Sequence, residues 1–196
     1  MLTPDDLLDG ERPAGERVVI YDDDHYYMGG VLAELLCADG KVVTLVMPAT
    51  CASSWTTATM EQHRIQRRLL ELDVEIQAFH AVVATTPEGV SASCVFTGAQ
   101  RQIACDAAVF VTARLPEDAL YRELLARRDE WESAGLRTVK AVGDCWSPGT
   151  IAAAVWEGHR YAQELDEENV GEDVPLPHEV TELSDSPINP RLWTHL

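Results

Sequence analysis

Two stretches of this 196-residue chain carry residue types that could do chemistry. The first is Gly143-Asp144, at the end of the apolar run Thr138–Val142 and ahead of a Ser-Pro-Gly-Thr turn. The turn leads into the Ala-rich segment that begins Ile151-Ala152-Ala153-Ala154. A glycine there permits a close turn, and the carboxylate can accept hydrogen bonds from ribityl or ribose hydroxyls. A helix starting at Thr150 offers N–H groups and a positive dipole end to a phosphate or a flavin carbonyl. Gly143, Asp144, Thr150 and Ile151 are therefore the candidate cofactor-binding residues. An aspartate that merely makes the turn is the plain alternative. No catalytic residue and no metal ligand set is assigned.

The second stretch is Asp22-Asp23-Asp24-His25-Tyr26-Tyr27, directly after the β-branched run Val18-Val19-Ile20-Tyr21. A dinucleotide site needs G-x-G-x-x-G at this place, so that the backbone can approach a pyrophosphate at a helix N-terminus. The three glycine positions are held by Asp22, Asp24 and Tyr27, and Gly29-Gly30 come too late. Carboxylates repel a pyrophosphate and fill its space. After the next strand, Met47-Pro48 stand where an acid or an Arg would read a ribose. NAD(P)H binding is disfavoured, and the expectation is a vestigial or repurposed site. A metal held by the three aspartates is a lesser alternative to a solvated acidic turn. Neither a G-x-S-x-G elbow nor a phosphate-binding P-loop is present.

Other residues have structural readings. His63, Arg64, Arg67 and Arg68 read as a solvated helix face balancing local acids rather than a phosphate site. Cys145 could lie near a flavin but reads as a buried structural cysteine. Trp55 and Trp156 read as core or interface anchors.

The elements that would position these residues follow from periodicity. Val18–Tyr21, a helix from Gly29 to Ala38 ended by Asp39-Gly40, and Val42–Val46 make a βαβ unit. A helix over 58–72 and a strand at Val74-Glu75-Ile76 come next. His80–Thr86, Val90–Phe96 and Arg101–Cys105 read as an antiparallel meander, and Ala107–Val111 as a further buried strand. An amphipathic helix over 117–133, a strand Thr138–Val142 and a helix from Thr150 to about Glu167 complete the order. That order predicts an α/β fold with a mostly parallel, Rossmann-like sheet and a β-meander, followed by a separate βα segment. One βα segment cannot make a layer alone, so its apolar residues must pack on the first domain or on another polypeptide.

Composition narrows the function. Lys and Arg number 15 against 33 Asp and Glu, a net charge of −18. Nucleic acid and anionic membrane are poor partners for such a chain. The charge sits mainly at the ends: residues 161–190 carry nine acids and no Lys or Arg. The five cysteines are odd in number and form no C-x-x-C, which disfavours a disulfide scaffold or structural zinc. MLTPDDLLDGERPAGER has no basic region followed by an apolar one, so a cytoplasmic location with reduced thiols is expected.

The runs LTPDDLLDG, RVVIYDDDHYYMGGVLAELLCADGKVVTLVMPA, SSWTTATMEQHRIQRRLLEL, AVFVTARLPEDALYRELLARRDEWE and KAVGDCWSPGTIAAAVWEGHRYAQEL resemble the C-terminal part of the trimethylamine/dimethylamine/histamine dehydrogenases. These are flavoproteins related to Old Yellow Enzyme. The resemblance spans residues 2 to about 180 and includes the unusual DDDHYYMGG. It implies a glutathione-reductase-type architecture. Residues 1–14 would be a lead-in, 15–116 a degenerate NAD(P)H-binding-like domain and 117–136 a connecting helix. Residues 137–170 would be the returning βα segment of an FAD/ADP-binding-like domain, and 171–196 an acidic, Pro-containing tail. The VTAR-x-P run at 111–116 resembles the exit crossover, with Ala113 where relatives carry Gly.

In that family a (β/α)8 barrel carries FMN, a 4Fe-4S cluster and the substrate chemistry. Barrel, cluster cysteines and the first half of the FAD-like domain are all missing from this sequence. The resemblance therefore implies a subunit or fragment that completes an ADP or FAD site shared with a larger partner chain. That partner would hold FMN, the cluster and the substrate, and an electron-transferring flavoprotein would take the electrons. The position of Met1 suggests a split gene or a shortened chain. A non-catalytic assembly subunit without cofactor is the alternative, and a free-standing NAD(P)H reductase a weaker one.

Overall fold

A computed structural model of the chain describes residues 1–165, and these divide into two compact units, Met1–Ala113 and the segment from Arg114 onward. The expected acidic tail at 171–196 lies outside the described residues. So does the expected end of the last helix at about Glu167.

In the first unit, helix α1 (Pro4–Leu8) precedes β1 (Arg17–Asp22), α2 (Met28–Ala38), β2 (Val42–Val46), α3 (Gln62–Glu71) and β3 (Glu75–Gln77). A three-stranded meander follows: β4 (His80–Thr86), β5 (Gly89–Cys94) and β6 (Gln100–Ala104). Strand β7 (Ala107–Val111) returns to the first sheet. That sheet is parallel, in the order β3-β2-β1-β7. The meander is antiparallel, in the order β4-β5-β6. The fold is α/β, with a Rossmann-like parallel sheet.

Alternation along β1 accounts for the layering, since successive side chains point to opposite faces of a strand. Val18 and Ile20 enter one core with Leu7, Leu32, Leu36 and Leu69, on the helix side. Val19 and Tyr21 enter a second core with Val90, Ala92 and Cys105, on the meander side. A central strand buried on both faces must read as a continuous apolar run, as VVIY does.

Helix α1 was not expected from the sequence. Thr3 caps it reciprocally with Asp6 and Pro4 supplies its first turn. Leu2 extends the sheet beyond β7: its N–H donates to the Ala108 carbonyl (2.9 Å) and its carbonyl accepts from the Phe110 N–H (3.0 Å).

Three element boundaries differ from the sequence reading. The helix expected over 58–72 begins only at Gln62. Residues 54–57 form a 3₁₀ turn, and Met60 has a φ of 60°, which no continuing helix allows. The helix expected over 117–133 is α4 (Ala119–Ala126) plus a 3₁₀ turn at Arg128–Glu130. The strand expected at Thr138–Val142 does not form. Those residues lie outside every ladder among the described residues, because a strand exists only as half of a pair.

At the opposite end of β1, Asp106 clamps the start of the sheet. Its Oδ2 accepts the N–H groups of Glu16 (3.0 Å) and Arg17 (2.8 Å), and its Oδ1 accepts from the Arg17 guanidinium (3.0 Å). The guanidinium, then the two N–H groups, hold the carboxyl down from 3.8 to about 2. A depressed carboxyl stabilises the fold above its unfolded pKa and ceases to as pH falls through the folded one. Asp106→Asn should therefore melt below the parent at pH 7, and the difference should close as pH falls from 4 to 2, read by thermal melts across that range.

Candidate functional site

The dinucleotide position of the first unit is filled from within. Asp22, the last residue of β1, is 1% exposed. Its Oδ1 accepts the N–H groups of Asp24 (3.2 Å) and His25 (3.1 Å), so residues 22–25 wrap around their own carboxylate. Burial pushes the carboxyl pKa up, against the pull of those two N–H groups. The other oxygen lies against the first turn of α2, where a Cβ added at Gly29 would touch Asp22 Oδ2.

The loops after β1 and β2 are tied together above this point. The Trp55 N–H donates to the His25 carbonyl at 3.0 Å. The Tyr27 hydroxyl donates to the Glu61 carboxylate and lies 3.1 Å from Thr59 Oγ1. That bond lowers the Glu61 pKa and raises the tyrosine's. Three non-glycine residues with positive φ lie in these two loops: His25, Ser53 and Met60. Conformations of this kind cost about 1–3 kcal/mol each and persist where their surroundings over-determine them. Among the described residues no group of three or more His, Cys, Asp or Glu could hold a metal ion.

The second candidate site lies wholly in the second unit, which carries helix α5 (Ile151–Glu164). Gly143 takes φ +63° and opens a 3₁₀ turn that ends at Cys145. Asp144 is exposed, and its Oδ1 accepts the Gly149 N–H at 3.2 Å. Thr150 caps α5, its hydroxyl accepting from the Ala153 N–H. The structure thus joins Gly143, Asp144 and Thr150 through one turn, with Ile151 85% exposed beside them. An exposed carboxylate keeps acceptor capacity for sugar hydroxyls. The Gly143 N–H, however, already donates to Glu157 Oε2 at 2.7 Å, which sets a carboxylate where a phosphate would want that donor.

Sequence reasoning missed the residues behind this turn. Glu157, Tyr161 and Glu164 share one face of α5 and, with Tyr121, Lys140, Trp146 and others, line a cleft of about 280 Å³. The Glu164 side chain is only 4% exposed. It accepts from Arg160 Nε (2.7 Å) and Lys140 Nζ (3.3 Å). Arg160, then Lys140, holds its carboxyl below the usual range. The Lys140 ammonium also sits 5.2 Å from the Tyr161 ring centroid. The i, i+4, i+7 spacing of Glu157, Tyr161 and Glu164 was the available signal.

With its acids turned inward, α5 turns its apolar residues outward. Ile151, Val155 (65%) and Trp156 (43%) are exposed. This inverts the usual arrangement of a surface helix. Trp55 is 64% exposed, so neither tryptophan is a core anchor. Cys145 is half-buried rather than buried. On α3, Arg67 and Arg68 pair with Glu71 and Glu34, as a charge-balanced helix face does.

Comparison with known proteins shows what the chain is similar to. Residues 2–92 match the OYE-like second alpha/beta domain. Dimethylamine dehydrogenase of Hyphomicrobium sp. (strain x) is 31% identical over 91% of this chain and 27% of its own. The structure of histamine dehydrogenase from Rhizobium sp. 4-9 is 44% identical over 93% of this chain and 28% of its own, with a TM-score of 0.83. The chain is homologous to part of the dimethylamine and histamine dehydrogenases. A 6-hydroxypseudooxynicotine amine oxidase from Pseudomonas geniculata N1 is also similar, at 40% identity over 81% of this chain and 23% of its own, with a TM-score of 0.74. The chain spans about a quarter of the length of these dehydrogenase relatives. Among its described residues no helix is long and apolar enough to cross a membrane.

Proposed function

We propose that this chain is the nucleotide-domain portion of a flavin-dependent amine dehydrogenase-like oxidoreductase, working in the cytoplasm. Its second unit completes an ADP or FAD site through Gly143, Asp144, Thr150 and Ile151. FMN, the 4Fe-4S cluster and the substrate chemistry lie on a larger partner, which also supplies the (β/α)8 barrel and the remainder of the FAD-like sheet. An electron-transferring flavoprotein is the outlet for electrons. Bound there, the nucleotide contributes its sugar hydroxyls to Asp144, while the turn at Gly143 keeps the backbone close.

The inversion of α5 carries this reading. The buried Glu164, the half-buried Glu157 and the exposed Ile151, Val155 and Trp156 make sense when another layer covers the helix. Residues 138–142, which join no ladder among the described residues and end in the extended Val142, would supply the edge to which a parallel sheet adds.

A second reading has its own observation. The Gly143 N–H and the Asp144 carboxylate already have internal partners, Glu157 and Gly149. An assembly subunit that binds no nucleotide would need nothing more. Native mass spectrometry of the chain purified gently from its host separates these readings. A complex with a larger flavin-bearing polypeptide, releasing ADP or FAD on acid treatment, is the expected result. A complex without nucleotide favours the assembly role, and a lone ligand-free monomer overturns both.

A further inference from the structure

We propose that the Asp22 carboxylate is a built-in substitute for the phosphate that a dinucleotide would place at the N-terminus of α2. The inference is independent of the partner and of the nucleotide site in the second unit.

Four observations converge on Asp22. It ends β1 at the position where a phosphate loop has its first glycine. Its side chain is almost fully buried, which a carboxylate tolerates only with partners. The loop closes on it as a nest closes on an anion, with two consecutive N–H groups on one oxygen. Its other oxygen lies against the first turn of α2, an 11-residue helix whose N-cap residue, Tyr27, makes no capping bond and whose first turn holds no acid. The positive end of that helix receives its negative charge from Asp22.

This arrangement explains two otherwise separate features. Gly29 must be glycine because the substituting carboxylate takes up the space of its Cβ. The six residues from Asp22 to Tyr27, the length of a G-x-G-x-x-G loop, contain no glycine because the turn closes on a side chain and need not admit a phosphate. The bonds from Trp55 to His25 and from Tyr27 to Glu61 then hold the loop shut over its own ligand. The consequence is a domain of dinucleotide-binding ancestry that is ligated permanently and refuses NAD(P)H.

Chemical rescue tests the substitution. Asp22→Gly removes the carboxylate and restores the small residue that a phosphate loop uses. Hydrogen exchange of the peptide covering residues 22–31, in the full chain, should accelerate by roughly tenfold or more, because each lost charge-assisted bond is worth that much. Millimolar inorganic pyrophosphate should slow it again in the variant while leaving the parent unchanged. Asp22→Asn keeps an acceptor for Asp24 and His25 and should stay protected and insensitive to pyrophosphate. If Asp22→Gly fails to fold, Asp22→Ser carries the same comparison. Pyrophosphate that leaves the variant's exchange unaltered, or slows the parent equally, overturns the proposal.

Discussion

Gly29→Ala is expected to destabilise the first unit by about 3 kcal/mol, a drop in Tm of roughly 10 °C. The sign is the informative part. In the first turn of a helix, alanine for glycine ordinarily stabilises by up to about 1 kcal/mol. Here the added Cβ would lie 2.6 Å from Asp22 Cγ and 2.9 Å from its Cβ. Asp22 cannot swing away, since the N–H groups of Asp24 and His25 hold its carboxylate and β1 is fixed between β2 and β7. The helix must move instead, and Leu32 and Leu36 with it, out of the core they fill. Pairing Gly29→Ala with Asp22→Gly should recover about 1.5 kcal/mol relative to the sum of the single changes. Thermal melts of the parent, both single variants and the double variant measure that coupling.

The second large effect is expected at the other unit. On the proposed function, Ile151→Glu combined with Val155→Glu should weaken association with the proposed larger partner at least 100-fold, about 2.7 kcal/mol. Both side chains are exposed in the chain by itself, so its own stability should change by no more than about 0.5 kcal/mol. The two residues lie one helical turn apart at the start of α5 and are among the apolar side chains it exposes, and the core of an interface is depleted of charge. Titration of the purified partner with parent and variant chains, with circular dichroism as a check on folding, reads both quantities. Unchanged affinity would place the covering layer elsewhere.

How much of this could be read in the sequence differs from element to element. The VVIY and VVTLV runs and the Pro-Glu-Gly turn announce β1, β2 and the meander, because buried parallel strands and tight turns each have a local chemistry. Helix α2 is legible to its last residue, since Gly40 with φ +78° ends it. Helix α1 was also legible in principle. Thr3-Pro4-Asp5-Asp6 spells a capping box, with Asp in place of the usual Glu. The break ahead of α3 was not legible, because it depends on Tyr27 reaching Glu61 and Thr59 from 34 and 32 residues away.

The candidate site shows the same division. Gly143, Asp144 and the cap at Thr150 form a local turn, and local sequence specifies it. That Glu157 claims the Gly143 N–H is a contact across fourteen residues, visible only once α5 folds back. Missing glycines at 22, 24 and 27 indicated that a phosphate loop had been replaced. That Asp22 itself turns inward required knowing that Gly29 makes room for it. The Thr138–Val142 run failed for a different reason: its residues suit a strand, but no local pattern states whether a neighbour exists.

That unpaired run has a practical consequence for handling the protein. Thr-Val-Lys-Ala-Val joins no ladder among the described residues, in a unit that also exposes Ile151, Val155 and Trp156. A short β-prone edge of this kind is a template for pairing with another copy of itself, and Lys140, its one charged residue, is drawn inward to Glu164. Among the described residues no strand pairs with that run, so the chain produced alone is expected to self-associate through it, read by light scattering against concentration. Under the proposed function a partner layer would cover that run, and co-expression with it should raise the soluble yield of the chain.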